Sequence, residues 1–345
     1  MESFNTLTNM ERTASRMRFC SLMAVPLAAT LFTAGAAHAA VVGEVITTYD
    51  ASVGRDAVMS ASNGGSFQHL TCGGDLSHGG SPRYFVDAVT AANYLPDGYL
   101  ASVLVASDED CAETRIISNS PDMRFSNLPL WSHDGSRVAV YAQSWELIND
   151  NLVEKNGIYV ADVTRDGEGR PIGISDLHRV IDSPGEILIS WSGDDQRIAY
   201  VASAPNGSGG LQNDIWVLEL ASGVSINATN SPEFDEDHPA FSPVDDRIAF
   251  IRMVAVRGTY RFDIFTQPAS GGTVTRVTTK GTTGAPRNMF PCFSPDGQYL
   301  TFSSGTALYP WGGVDIYRMK ADASGKATNL TGKRTGSFTV PKWRP

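Results

Sequence analysis

The sequence has few of the residues that most often form catalytic or metal sites. It contains 4 cysteines and 6 histidines among 345 residues. Basic residues are also outnumbered, with 27 lysines and arginines against 37 aspartates and glutamates, for a net charge of −10. An acidic chain is repelled by nucleic acid phosphates and by anionic lipid surfaces. The composition therefore argues against nucleic acid and anionic membranes as partners.

The apolar run near the N-terminus is too short to span a membrane. Three arginines precede the stretch from about Leu22 to Phe32, and Ala37-His38-Ala39 then offers a small-x-small cleavage pattern. This order is typical of a secretory signal peptide, whereas a membrane span needs about 20 apolar residues. We expect residues 1–39 to be a cleaved signal peptide, residues 40–345 to be one domain, and the protein to be periplasmic or secreted. An N-terminal anchor is the alternative.

Three cysteines follow the expected cleavage site, namely Cys72, Cys111 and Cys292. In an oxidising compartment, a disulfide between Cys72 and Cys111 would leave Cys292 as a buried thiol. Three cysteines allow any one of three disulfides, and they also allow no disulfide at all. The pair Cys72–Cys111 is the one that we expect.

A four-part motif recurs at intervals of roughly 50 to 60 residues. Each copy begins with an aromatic anchor, a polar turn and a strand, as in LPLWSHDGSRVAVYA, ILISWSGDDQRIAYVAS, HPAFSPVDDRIAFIR and FPCFSPDGQYLTFSS. A second strand such as NDIWVLEL follows, and then a turn and a last short strand. Four short strands per repeat, without helical periodicity, are the signature of propeller blades. The sequence therefore predicts an all-β fold with anchors at Trp131, Trp191, Phe241 and Phe293.

The two ends of the chain share one repeat. Trp343 takes the anchor position, but the other strands of its repeat occur near the N-terminus as EVITTYD, DAVMSASNGG and FQHLT. We expect the C-terminal strand to complete the N-terminal blade and to close the ring, which removes exposed sheet edges. With a weaker unit anchored at Tyr94, the prediction is a monomeric six-bladed β-propeller of four-stranded antiparallel blades. Residues 73–92 have no clear place in this scheme.

The motifs aromatic-Ser-Pro-Asp-Gly, Arg-Ile-Ala-Phe, Asp-Ile-Tyr and Leu-Thr resemble the TolB-type propeller repeat, which prolyl oligopeptidases also contain. The resemblance covers nearly all of residues 41–345, and it implies a periplasmic, six-bladed propeller. TolB carries an α/β domain before its propeller, and we expect none here. Prolyl oligopeptidases place their serine in Gly-x-Ser-x-Gly, a pentapeptide that this sequence does not contain. Serine peptidase activity is therefore not expected.

Residues just before the anchors predict a binding site. Inner strands of a propeller begin at one mouth of the central channel, so these residues should line that mouth. They are Asn127, Glu186, Glu236, Asp237, His238, Asn288 and Thr339. Their carboxylates would suit a basic peptide end or a calcium ion. The alternative is a solvated acidic loop that binds no ligand. No histidines have metal-ligand spacing, so we expect no histidine-based metal site and no other cofactor.

Two functions follow from these features. The first is a binding module without catalytic activity, which takes a periplasmic or envelope protein or peptide at its channel mouth and blade loops. The second is a channel-centred enzyme, a metal-assisted lyase or a lactonase-type hydrolase that acts on a saccharide or lactone. In that case Glu186, Asp237 and His238 would serve as metal ligands or as acid and base.

Overall fold

The computed structural model describes residues 44–51, 54–61, 67–69, 77–78, 84–95, 100–108, 112–118, 120, 122–126, 128–182, 188–256, 259–306, 313–332 and 337–344. Regular structure in these ranges consists of 25 β-strands and one short helix. All of these elements belong to the unit Val41–Pro345. The predictions for residues 1–39, for Asn127 and Glu186, and for the pair Cys72–Cys111 lie outside the described residues.

The first half of the chain forms antiparallel sheets in chain order. The first group contains β1 (Glu44–Ala51), β2 (Gly54–Ala61) and β3 (Phe67–His69). The next sheet contains β4 (Ser77–His78), β5 (Tyr84–Tyr94), β6 (Leu100–Asp108) and β7 (Thr114–Ile116). The third contains β8 (Arg124–Phe125), β9 (Leu130–Trp131), β10 (Arg137–Ile148), β11 (Asn151–Arg165) and β12 (Pro171–Asp182), with β8 and β9 both paired to β10.

The second half repeats this arrangement. One sheet contains β13 (Ile189–Trp191), β14 (Arg197–Pro205), β15 (Leu211–Glu219) and β16 (Val224–Asn227). An eight-stranded sheet begins with β17 (Glu236–Phe241), β18 (Arg247–Val256), β19 (Thr259–Pro268) and β20 (Thr275–Arg276). Helix α1 (Lys280–Thr283) precedes its second half, β21 (Arg287–Phe293), β22 (Tyr299–Gly305), β23 (Val314–Lys320) and β24 (Thr328–Asn329).

Two pairings link these groups. A single parallel pair, Phe262 opposite Arg287, joins the two halves of the eight-stranded sheet. The last strand, β25 (Ser337–Arg344), pairs antiparallel with β1, so both ends of the described chain lie in one sheet. The split repeat in the sequence predicts this second pairing.

The weak unit around Tyr94 differs from the prediction. The Pro-Asp-Gly sequence after Tyr94 lies between β5 and β6, which are the second and third strands of their sheet. The first strand is β4, so Tyr94 is not an innermost anchor. Part of the segment 73–92 supplies β4 and most of β5. The interpretation of Tyr94 was wrong because a Pro-Asp-Gly turn suits any hairpin and does not identify which strands it joins.

The aromatic anchors form the core between successive sheets. Trp131, Trp191, Phe241, Phe293 and Trp343 are each 3–6% exposed. In one cluster, Phe241 and Phe250 pack with Val201 and Ile215 of the preceding sheet. Each sheet therefore buries its face against the neighbouring sheet, because a single sheet cannot bury its own face.

Arginines at the start of the second strands also connect the sheets. The guanidinium carbons of Arg137, Arg197 and Arg247 lie 5.0–5.3 Å from the ring centroids of Trp191, Phe241 and Phe293, which belong to the next group of strands. Arg197 also forms an ion pair of 2.6 Å with Asp246. These contacts explain why arginine recurs at this position of the motif.

Candidate functional site

The first strands of the sheets lie beside one another and position the candidate site. We call β4, β9, β13, β17, β21 and β25 the inner strands. Each contacts the next in this order, and β25 contacts β4. The residues just before and after the anchors therefore gather where these strands meet.

Three inner strands share a strained bulge. His238, Phe290 and Val340 each precede a proline and have φ of 56°, 53° and 48°. The ladders of β17 and β21 shift register at these points. Proline cannot donate to the ladder, and a left-handed conformation is unfavourable for a side-chain-bearing residue, above all for a β-branched valine. The same strain therefore recurs at three equivalent positions.

The bulges meet at a narrow point, which we call the constriction. It encloses about 30 Å³ and is lined by the three X-Pro pairs together with Leu188, Ile189 and Lys342. The ring of His238 packs edge-on against Phe290 with a centroid distance of 4.3 Å. Two larger cavities adjoin the constriction, one sharing His238 with it and the other sharing Pro239, Pro291 and Lys342.

The acidic cavity lies at the start of β17, where residues of β15, β18, β19 and β21 surround it. It measures about 250 Å³ and is lined by Asn213, Asp235, Glu236, Asp237, His238, Ile251, Met253, Phe262 and Met289. The Oδ1 atom of Asp237 accepts the backbone N–H of His238 at 2.6 Å and lies 3.3 Å from Nδ1 of the same residue. Asp235 is exposed, and its Oδ1 accepts the backbone N–H of Asn213 at 2.9 Å. Carboxylates therefore stand beside sulfur-containing and apolar side chains.

Glu236 has a structural partner inside the protein. Its side chain is fully buried and forms an ion pair of 2.6 Å with Arg252, while the hydroxyl of Ser231 donates to the same oxygen at 2.9 Å. Burial raises the pKa of Glu236, against the opposing effects of Thr229, Arg252 and Ser231. Arg252 also lies 4.6 Å from the ring of Phe234. Asp235 and Asp237 are therefore the carboxylates of this cavity that remain accessible.

The remaining predicted site residues lie elsewhere. Asn288 is buried, where its Oδ1 accepts a hydrogen bond of 2.9 Å from Ser304 and its Nδ2 donates to Asp263 at 3.3 Å. Thr339 lies in β25 opposite Thr48. The structure thus brings Glu236, Asp237 and His238 together and places Asn288 in a separate buried network.

The aromatic cavity lies beyond the constriction, at the end of the inner strands. It measures about 310 Å³ and is lined by Leu130, Trp131, His133, Ser190, Trp191, Pro239, Ala240, Phe241, Pro243, Pro291, Cys292, Phe293, Pro295, Lys342 and Trp343. The aromatic anchors of the core between the sheets therefore also form the wall of a cavity. The sequence did not predict this cavity, although the X-Pro-x-aromatic pattern that precedes Trp131, Phe241, Phe293 and Trp343 was a signal for it.

The described residues contain neither a metal-binding cluster nor a membrane-spanning helix. No group of three or more histidine, cysteine, aspartate or glutamate side chains is placed to hold a metal ion in these ranges. None of the helices described there is long and apolar enough to cross a membrane. Cys292 is the free cysteine among the described residues, and burial raises its pKa while Lys342 opposes the shift.

Comparison with solved structures identifies the fold. TolB from Acinetobacter baumannii matches with a TM-score of 0.57 and 14% identity, over 89% of this chain and 67% of that chain. Hydrazine synthase from Kuenenia stuttgartiensis matches with a TM-score of 0.58 and 11% identity, over 87% of this chain and 46% of that chain. The chain thus spans less than half of the hydrazine synthase chain that it matches. No protein-family model matches the sequence, and no curated protein matches it significantly.

At these identities the likeness shows the fold alone. The chain has an all-β, propeller-type architecture, and TolB and other β-propeller proteins are among its structural neighbours.

Proposed function

We propose that this protein is an exported, periplasmic six-bladed β-propeller that binds a protein or peptide segment at its acidic cavity. The cyclic order of contacts among the six inner strands supports a closed ring, and the pairing of β25 with β1 supports closure by the C-terminal strand. The signal-like N-terminus and the likeness to TolB support export to the periplasm. The ring needs no catalytic group for this role.

The observation that carries the proposal is the composition of the acidic cavity. Asp235 and Asp237 are accessible, whereas Ile251, Met253, Phe262 and Met289 supply an apolar surface beside them. A lysine, an arginine or a free amino terminus next to an apolar side chain would satisfy both features. Methionine side chains adapt to different apolar partners, which suits recognition of a peptide segment.

Strain at the constriction supports the same role. His238 lines both the acidic cavity and the constriction, and its left-handed backbone persists only because surrounding structure holds it. The cavity floor is therefore preorganised, which lowers the cost of ordering the protein when a partner binds.

Selection of displayed 12-residue peptides on the intact protein tests the proposal. We expect enriched peptides to carry lysine or arginine beside an apolar residue. Their affinity should fall about tenfold in Asp237→Asn, as expected when a charged hydrogen-bonding partner is lost. Asp150→Asn is the matched control, because Asp150 lies in the turn between β10 and β11 with φ of 62°, a conformation that asparagine adopts readily.

Two outcomes would contradict the proposal. One is the absence of any enriched motif, and the other is a set of peptides that bind the Asp237→Asn and Asp150→Asn variants equally.

The localisation is tested separately by N-terminal sequencing of exported protein, which should begin at Ala40.

A further inference from the structure

The aromatic cavity contains a basic side chain without a partner. Lys342 lines this cavity, and its side chain forms no ion pair or hydrogen bond within the described residues. The indole N–H groups of Trp131 and Trp343 also lack hydrogen-bond partners there, but both nitrogen atoms are closed to water and so do not open onto the cavity. The ammonium group of Lys342 is therefore the donor that an occupant of this cavity could reach.

The other polar groups of this cavity already have partners. The hydroxyl of Ser190 accepts the backbone N–H of Phe241 at 2.9 Å, and Nδ1 of His133 lies 3.0 Å from Oδ1 of Asp195. The third indole, that of Trp191, donates to the carbonyl of Leu130 at 3.2 Å. The charged group of this cavity that lacks a partner is therefore the ammonium of Lys342, whose hydrogen bonds are open to an occupant.

The shape of the cavity restricts what could accept these hydrogen bonds. Its volume of about 310 Å³ falls at the low end of the range for small-molecule pockets, which begins at about 300 Å³. Aromatic rings and prolines form most of its wall, which favours a flat apolar body. The unpaired ammonium favours a negative charge, in a chain whose own net charge is −10.

We propose that the aromatic cavity binds a small aromatic carboxylate, whose ring packs among the anchor side chains and whose oxygens accept hydrogen bonds from the ammonium group of Lys342. The same chemistry is present in a free aromatic acid and in the C-terminal residue of a peptide. This site is separate from the acidic cavity, and it does not depend on the peptide-binding role proposed there.

Calorimetric titration of the intact protein tests the charge preference, with 1-naphthoate and the neutral 1-naphthamide as probes. We expect the acid to bind about tenfold more tightly than the amide, since hydrogen bonds to charged groups are the stronger ones. Lys342→Met should abolish this difference, and Lys342→Arg should retain most of it. Lys326→Met is the control, because Lys326 is exposed between β23 and β24.

Urea unfolding of each Lys342 variant and of Lys326→Met checks that the fold is intact.

Several results would overturn the proposal. They are equal affinity for acid and amide, an unchanged preference in Lys342→Met, and no measurable binding of either probe at millimolar concentration. N-acetylphenylalanine and its amide distinguish the two sources of the ligand. A tighter fit for N-acetylphenylalanine than for 1-naphthoate assigns the site to peptide C-termini, and the reverse order assigns it to free acids.

Discussion

The two cavities differ in the charge of their accessible side chains. At the acidic cavity, Glu236 is paired with Arg252, whereas Asp235 and Asp237 remain accessible. At the aromatic cavity, the side chain of Lys342 has no partner in the described structure. Both cavities involve β17 and β21, and the bulges at His238 and Phe290 separate the residues of these strands that line one cavity from those that line the other. The comparison teaches that one strand can supply two environments of opposite electrostatic preference.

The X-Pro steps explain how this separation arises. A regular strand would continue its ladder, with alternate side chains on the same face. The proline and the left-handed residue before it interrupt that alternation in β17, β21 and β25. In β17 and β21, residues before the bulge therefore line the acidic cavity and residues after it line the aromatic cavity, whereas β25 supplies Lys342 and Trp343 to the aromatic cavity.

The largest expected effect comes from breaking the buried ion pair of the acidic cavity. Arg252→Ala leaves Glu236 buried without its cation and should lower the free energy of unfolding by about 3–5 kcal/mol. The double variant Arg252→Met, Glu236→Gln removes both charges, so its free energy of unfolding should fall clearly less. Urea denaturation of the three proteins measures the difference. Equal losses in the single and double variants would show that packing of the arginine stem dominates, and not the charge.

The pH dependence of stability sharpens the comparison further. Because the pKa of Glu236 is raised in the folded protein, its contribution to stability is complete below the unfolded value of 4.5 and is lost as pH rises through the folded value. Wild type should therefore lose stability relative to Glu236→Gln over that window, by up to about 1.4 kcal/mol for each unit by which the pKa is raised. Denaturation midpoints between pH 4 and 8 measure this.

One result would contradict the raised pKa of Glu236. It is a Glu236→Gln variant that keeps the wild-type slope of stability against pH between 4.5 and neutrality.

The smallest expected effect compares two indoles of the aromatic cavity. Trp191→Phe loses a hydrogen bond to the carbonyl of Leu130 and should cost about 1 kcal/mol more than Trp131→Phe, whose N–H has no partner to lose. Thermal or urea unfolding of both variants checks the order. A larger loss for Trp131→Phe would show that its N–H is satisfied in the folded protein.

The sequence predicts the strands of the later repeats well because their signals are local. The anchors Trp191, Phe241 and Phe293 precede turns whose residues encode hairpins, and the structure places β13 to β24 accordingly. The split repeat also predicts that β25 pairs with β1. The prediction of an anchor at Tyr94 was wrong because its Pro-Asp-Gly sequence lies between the second and third strands of a sheet. Which pair of strands such a sequence separates depends on the neighbouring sheet and not on the sequence itself.

The site was harder to predict, for physical reasons. Position before an anchor selects Glu236, Asp237 and His238, but it does not reveal that Arg252 forms an ion pair with Glu236 from the next strand. The same rule selects Asn288, whose side chain turns into a buried network with Asp263 and Ser304. Pairing of this kind depends on side chains that are distant in sequence. The sequence does not reveal the aromatic cavity, because the space left between anchors depends on how neighbouring sheets pack.

The most direct test of the account uses two probes with one body and opposite charge, 1-naphthoate and 1-naphthylmethylamine, titrated into wild type, Lys342→Met and Asp237→Asn. We expect 1-naphthoate to lose affinity only for Lys342→Met and 1-naphthylmethylamine to lose affinity only for Asp237→Asn. Each loss should be about tenfold, the size expected when a charge-assisted hydrogen bond is removed. If either probe responded equally to both variants, the two ends of the inner strands would not be separate sites of opposite preference.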